Sequence, residues 1–205
     1  MAEQEAAHRQ KFDALLAARG VAVPRGVAAA DLAALGPLAA TLTPPLALKG
    51  LGFAHKTEAG AVRLNLSALM GQAEMTGATG YLAEEMVTGA LAELLIGVRR
   101  DPVYGATMTL GFGGVTAELL ADTVTLILPV TAEQIGAALR SLRLWPLLDG
   151  YRGRVPADVA AVVDVALALQ DMLAADRLLE EIEINPLMVK AKGAIAVDAV
   201  IWREE

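Results

Sequence analysis

The sequence predicts an α+β, or mixed α/β, domain in two lobes. Three observations carry this. Strand-like runs stand both side by side and separated by helical runs. Of the 205 residues, 55% are hydrophobic, enough for a sizeable core. Gly and Pro break the apolar runs at short intervals, with no internal repeat and no disordered linker.

Each element follows from its pattern. From about Gln4 to Arg19 the apolar residues recur at helical spacing until Gly20 stops them. "VAVPRGVAA" reads as an extended piece punctuated by Pro24 and Gly26. Asp31 is placed to cap a short helix ending near Gly36. "PPLALKG" reads as a buried strand closed by Lys49, and "AVRLNL" alternates as a second strand. "SALMGQAEMTG" is a Gly-interrupted helix or loop, and "GYLAEEMV" is a strand that runs into a connector. "ELLIGVRR", "DPVYG" and "ATMTLGF" form strand, turn and strand, a hairpin by turn chemistry. "TVTLILPV" is a further strand stopped at Pro129. In "TAEQIGAALRSL", Thr131 and Gln134 stand in capping-box positions ahead of a helix. "WPLLDGYRGRVP" reads as a loop. "ADVAAVVDVALALQDMLAAD", with Pro156 just ahead, is the most regular helix. "LEEIEINPLMVKAKGAIAVDAVIW" is two extended runs around a short turn.

Composition excludes several function classes. The formal net charge is -7, and no basic block is present, which argues against a nucleic-acid partner. Cysteine is absent, so there is neither a disulfide frame nor a thiolate metal site. The first twenty residues are polar and charged, unlike a signal peptide, and charges, Gly or Pro interrupt every apolar stretch short of a membrane span. A cytoplasmic location without membrane contact is the expectation.

The tail carries a testable geometry. Glu183, Asn185 and Asp198 are the polar interruptions in two apolar runs. If the turn pairs Lys190 with Gly193, Asn185 faces Asp198, and Glu183 shares its face two residues away. A three-residue loop would break that opposition. Three oxygen-bearing side chains on one face suit a hard cation such as magnesium, which takes a few protein oxygens plus water and phosphate. The alternative is an Asn-Pro turn with two solvated edge carboxylates. "GFGGV", Gly111 to Val115, either lets backbone amides approach a phosphate or is a glycine-rich strand end. Lys49 either reaches a phosphate oxygen or extends to water. "AHKTEAGAV" places His55, Lys56 and Glu58 in one polar segment that runs into Gly60. A surface turn is the alternative to a reactive histidine.

Taken together, "LALKG", "AHKTEAGAVRLNL", "LAEEMV", "ELLIGVRRDPVYGATMTLGFGGVTAELLAD", "LLDGYRGRVPADV" and "EIEINPLMV…AVDAV" resemble the ATP-grasp, beta-type subunit or domain of ADP-forming acyl-CoA synthetases, acetate–CoA ligase included. The resemblance covers the chain from about Val21. It implies one ATP-grasp domain over residues 1–205: an N-terminal helix (1–20), a small lobe carrying the His55 loop (21–83) and a large lobe carrying the metal hairpin (84–205). It implies ATP/ADP and Mg2+ as cofactors. Asn185 and Asp198 would hold the metal, with Glu183 in support. Lys49 would contact phosphates. Glu84, Glu85, Met86 and Val87 would line the adenine pocket through backbone groups. Glu93 would lie toward the ribose, and Arg99, Gly113 and Gly114 toward the phosphates. His55 stands where the family carries a phosphoryl-accepting histidine, with Lys56 and Glu58 placed to orient it. The implied partner is a separate CoA-binding, alpha-type subunit in a hetero-oligomer.

The chain departs from the family pattern at three places. Ala61 replaces the second glycine of the histidine loop and resists positive φ. Leu126 stands where relatives often carry arginine. The stretch between Leu66 and Gly80 is short, as is the approach from Lys49 to His55. These departures motivate an alternative, a catalytically reduced ATP-grasp module that binds nucleotide or a partner. A ligase joining a carboxylate to an amine is a third reading, but it gives His55 no task.

Overall fold

The structure is a computed structural model that describes residues 14–53, 60–114 and 120–204. His55, Lys56 and Glu58, and most of the helix expected from Gln4, lie outside the described residues. The chain divides into two compact units, one built around Pro24–Thr88, the other from Ala17–Val23 and Gly89–Glu205. Glu84 to Thr88, expected to open the larger lobe, instead close the first unit, because Glu84 and Glu85 are strand residues paired with Ala47 and Leu46.

In the first unit, β1 (Gly26–Ala29), β2 (Leu46–Leu51), β3 (Val62–Leu66) and β4 (Gly80–Glu85) form an antiparallel sheet in the order β1-β4-β2-β3. Helix α1 (Leu32–Ala39) begins where Asp31 accepts a hydrogen bond from the Ala34 N–H at 2.7 Å. It runs past Gly36, the expected end, and through Pro37 to Ala39. Burial of Leu35 and Ala39 against Leu46, Leu48 and Tyr81 outweighs the poor local propensity. Strand β2 likewise continues beyond Lys49 to Leu51, and all six of its residues are buried.

The second unit is built on β5 (Ala92–Asp101), β6 (Gly105–Phe112), β7 (Thr123–Ile127), β8 (Leu179–Val189), β9 (Ala194–Ala196) and β10 (Ala199–Arg203). Their order is β10-β8-β5-β6-β7, with β9 also paired to β8, and every pairing is antiparallel. Alternation sorts the two faces. Leu94, Ile96 and Val98 of β5 are buried, whereas Glu93 and Arg99 are exposed. Helix α4 (Val159–Ala175) packs on β5 and β8, and α2 (Ala132–Ser141) packs on α4. The Thr131–Gln134 capping box forms as the sequence requires. The segment read as a loop holds a short helix, α3 (Trp145–Leu148), and one 3-10 turn, Tyr151–Gly153. Pro146 in the first turn suits a helix start.

Three side chains tie these elements together. Arg100 donates to the carbonyls of Leu173 and Asp176 at the end of α4 and to that of Leu179 at the start of β8. Buried Asp122 accepts from the N–H groups of Arg143 and Leu144 at 3.0 and 2.9 Å. Asp158 caps α4 through the Ala161 N–H at 3.1 Å and accepts from the Gly193 N–H at 2.8 Å, while its own N–H donates to Lys190. The N–H groups of Gly193 and then Ala161 hold its carboxyl below the ordinary aspartate value of 3.8. A depressed folded value means that this stabilisation is complete above the unfolded value and is lost as pH falls through the folded one. Asp158→Ala is expected to cost ~1 kcal/mol near neutral pH. The deficit should shrink below the ordinary aspartate range. Urea midpoints for both chains at pH 7 and pH 3 check this, and a deficit that does not change with pH contradicts it.

Among the described residues, no helix is long and apolar enough to cross a membrane.

Candidate functional site

The tail hairpin has the register that its sequence suggests. The Lys190 N–H donates to the Gly193 carbonyl at 3.0 Å, Val189 pairs with Ala194, and Leu187 pairs with Ala196. The same count continues through the Asn185 N–H, which donates to the Asp198 carbonyl at 3.0 Å, to the Ile184–Ala199 pair.

Against β5 the count changes. Leu94 pairs with Leu187 but Ile96 with Ile184, so Asn185 and Pro186 together oppose Leu95. Pro186 has no N–H for the ladder, which is why the irregularity falls there. The extra residue keeps Ile184 and Leu187 both buried and leaves Asn185 on the side of Glu183, only partly covered.

Around that bulge five residues gather. Asn185 donates to the Glu183 carboxyl, while its Oδ1 faces the Gly114 N–H at 3.4 Å. The Gly113 N–H donates to the Glu93 carbonyl at 2.8 Å. A Cβ added at Gly113 would stand 2.9 Å from both Asn185 Oδ1 and the Leu94 carbonyl. One at Gly114, where φ is +64°, would collide with Glu93 Oε2. Glycine is therefore required at both positions for the turn to lie against Asn185 and Glu93. Burial, then the neighbouring Glu181 carboxylate, push Glu183 upward, and only the Asn185 hydrogen bond opposes them.

Asp198 contributes its carbonyl to the Asn185 N–H and a carboxylate oxygen to the Ala199 N–H at 3.0 Å. Among the described residues, no three His, Cys, Asp or Glu side chains cluster as a metal cage. An amide oxygen with one or two carboxylates instead fits a cation that keeps water and substrate oxygens in its shell, as magnesium does. A cation here would also relieve the electrostatic penalty on Glu183.

Arg99 stands apart from this group. It lies on the same face of β5 as Glu93, roughly 20 Å along the strand at ~3.3 Å per residue, opposite Thr107 and Glu181. Its guanidinium bonds Asp101 at 2.7 Å. Leu126, where an arginine was the comparison, pairs with fully buried Met108, so an apolar side chain suits its face. A groove of about 450 Å³ between α2 and α4, lined in part by Glu133, Arg140 and Asp164, contains none of the predicted residues.

In the first unit, Lys49 does not extend to water. Its Nζ lies 2.6 Å from Glu84 Oε2, and the two side chains are 5% and 2% exposed. Glu85 accepts from the Thr43 N–H at 2.9 Å and lies 3.7 Å from Arg25. The N–H groups of Glu85 and Met86 donate to the carbonyls of Arg25 and Pro45, so neither of these two donors is left to read a base. Val87 follows directly, half-buried. Gly60 carries φ +65°. Ala61, for which strain was expected, is not in the left-handed region; it is buried in the core of this unit, and its carbonyl accepts from Gly50.

The sequence reading missed Glu84's role beside Lys49, the bulge and the capping role of Arg100. Of these, only the bulge had a local signal, the Asn-Pro step.

A family model for the ATP-grasp domain matches residues 2–202. The chain is 31% identical over 207 residues to the beta subunit of ADP-forming acetate–CoA ligase II from Pyrococcus furiosus, which covers 91% of this chain and 87% of that subunit. It is 31% identical to a trans-feruloyl-CoA synthase from an unknown prokaryotic organism, over 95% of this chain but only 30% of that protein. Among solved structures, it is similar to a dinucleotide forming acetyl-coenzyme A synthetase 1 from Ca. Korarchaeum cryptofilum, in complex with coenzyme A and Mg-AMPPCP and with its phosphohistidine segment pointing towards the nucleotide binding site. The TM-score is 0.78 at 26% identity, over 92% of this chain and 88% of that one.

Proposed function

The chain belongs to the ATP-grasp domain family, and on that premise we propose that it is the nucleotide-binding, phosphoryl-transferring subunit of an ADP-forming acyl-CoA synthetase. The full reaction is acyl-CoA + ADP + phosphate ⇌ acid + CoA + ATP. This chain supplies the nucleotide half, and a separate CoA-binding subunit of alpha type completes a hetero-oligomer. The observation that carries the reading is the hairpin register, which brings Asn185 opposite Asp198 and lays the Asn185 amide against the Gly113–Gly114 turn. Homology to the Pyrococcus beta subunit supports it.

The residues divide the work. Asn185 and Asp198 hold Mg2+, with Glu183 beside them, and the ion supplies charge neutralisation on the nucleotide phosphates. The Gly113–Gly114 backbone approaches those phosphates, Lys49 adds a point charge, and Glu93 lies toward the ribose. The connector ending at Val87 borders the base. His55, the second actor, is nucleophilic as neutral imidazole near pH 7. Its ring nitrogen forms a bond to the γ-phosphorus of ATP as the bond from that phosphorus to the β,γ-bridging oxygen breaks, and ADP departs with the electron pair. Lys56 and Glu58 orient the ring. Ala61 and Leu126, the grounds for a catalytically reduced module, occupy places where an apolar residue fits.

The test mixes this chain with its CoA-binding partner and γ-labelled ATP, then measures acid-labile label on this chain. Wild type is expected to retain label and His55→Ala to retain none. Equal labelling of both removes His55 as the carrier.

A further inference from the structure

The buried pair in the first unit has a geometry that assigns Glu84 a second role. Lys49 and Glu84 lie diagonally on neighbouring strands, since Lys49 pairs with Leu82 and Glu84 with Ala47. Their charged ends meet at 2.6 Å where almost no water reaches. On the other side of Glu84 stands Gly26 of β1, its pairing partner. A Cβ at Gly26 would come within 2.8 Å of Glu84 Cγ and 3.0 Å of the Ala83 carbonyl. The sheet is thus built with a missing side chain at the place that the glutamate stem occupies. A flexible four-carbon stem holds one direction only when its end is tethered.

We propose that the Glu84 carboxylate is a positioning group for Lys49: it holds the ammonium aimed until nucleotide phosphates share it, so that the two residues act as one unit. This rests on the nucleotide-binding reading above and changes the part that Glu84 plays in it. The side chain serves the phosphate end of the nucleotide through Lys49 and contributes nothing to recognition of the base.

Titration calorimetry on the full chain, with Mg-ADP and with adenosine as probes, separates the possibilities. Glu84→Gln and Lys49→Met are each expected to weaken Mg-ADP at least tenfold while leaving adenosine within twofold. The double variant should lose no more than the weaker binder of the two. Adenosine affinity that falls in step with Mg-ADP in Glu84→Gln, or losses that multiply in the double variant, overturn the proposal. If circular dichroism shows Glu84→Gln unfolded, Gly26→Ala carries the same comparison. It displaces the Glu84 stem without removing a charge and is expected to weaken Mg-ADP but not adenosine. A wild-type chain that binds neither probe defeats the nucleotide reading itself, and that result is distinct from a failure of the pair alone.

Discussion

Replacing Asn185 by alanine is expected to weaken Mg-ADP binding by about 10- to 100-fold, the range for groups that hold or support a metal, while ADP binding in excess EDTA changes little. Asn185 serves two kinds of partner at once. Its NH2 end donates to Glu183, which leaves the oxygen end turned toward Gly114, where the contact is a long 3.4 Å. An amide oxygen carries two lone pairs, so a long contact to one N–H leaves acceptor capacity on Asn185 Oδ1. Alanine removes that oxygen and also the one group that offsets the burial of Glu183. If Asn185 were only a turn residue, its loss would lower binding by the same factor with and without Mg2+. Calorimetry under the two conditions measures that ratio, and a ratio near one is the contrary result. Asp198→Asn is a useful companion, since it retains an oxygen but removes the charge.

The second large effect is on stability. Ile96 of β5 is fully buried, as are its two neighbours across the ladder, Leu110 on β6 and Ile184 on β8. Ile96→Ala deletes the middle of that rung, and the neighbours cannot close the gap because they are fixed by strand pairing on both sides. The expected cost is ~2–5 kcal/mol. At ~2–4 °C per kcal/mol for a chain of this size, the melting temperature should fall by about 10 °C. Ile96→Val, which leaves a smaller void, should cost only ~0.5–1.5 kcal/mol. Urea denaturation of both variants gives the comparison. Equal costs for the two would mean that the site collapses around the lost atoms, contrary to the tight rung described.

Much of this was legible because strand geometry has a short, rigid period. Once Lys190 is paired with Gly193, the facing pairs as far as Glu181 and Trp202 are fixed, and polar Glu183, Asn185 and Asp198 fall where they do among apolar neighbours. The Thr131 and Asp31 caps were equally legible, since a cap is a contact between residues three apart. What stayed hidden involves partners distant in sequence. Nothing near Lys49 announces Glu84, and nothing near Glu84 announces that Gly26 makes room for it. From their own residues, Gly113 and Gly114 left a phosphate-approaching turn and a glycine-rich strand end both open, because the requirement for glycine comes from Asn185 and Glu93 on other strands. Arg99 shows the opposite relation. A cation close to the motif in sequence stands far along an extended strand, and its charge is engaged by Asp101. Leu126 was read as a lost charge, whereas its pairing with Met108 shows which side of the sheet it serves.

The second unit draws on two separated pieces of chain. Ala22 forms a parallel bridge with Ile195, and its carbonyl accepts from the Ala196 N–H, whereas everything from Pro24 to Thr88 belongs to the other unit. During synthesis, Ala22 must therefore wait for its partners until Ile195 and Ala196 have been made, a delay of roughly ten to thirty seconds at ordinary translation speeds. The intervening unit has all its residues long before then. A nascent chain stalled anywhere before residue 195 therefore carries an Ala22 strand segment still lacking its place in the sheet.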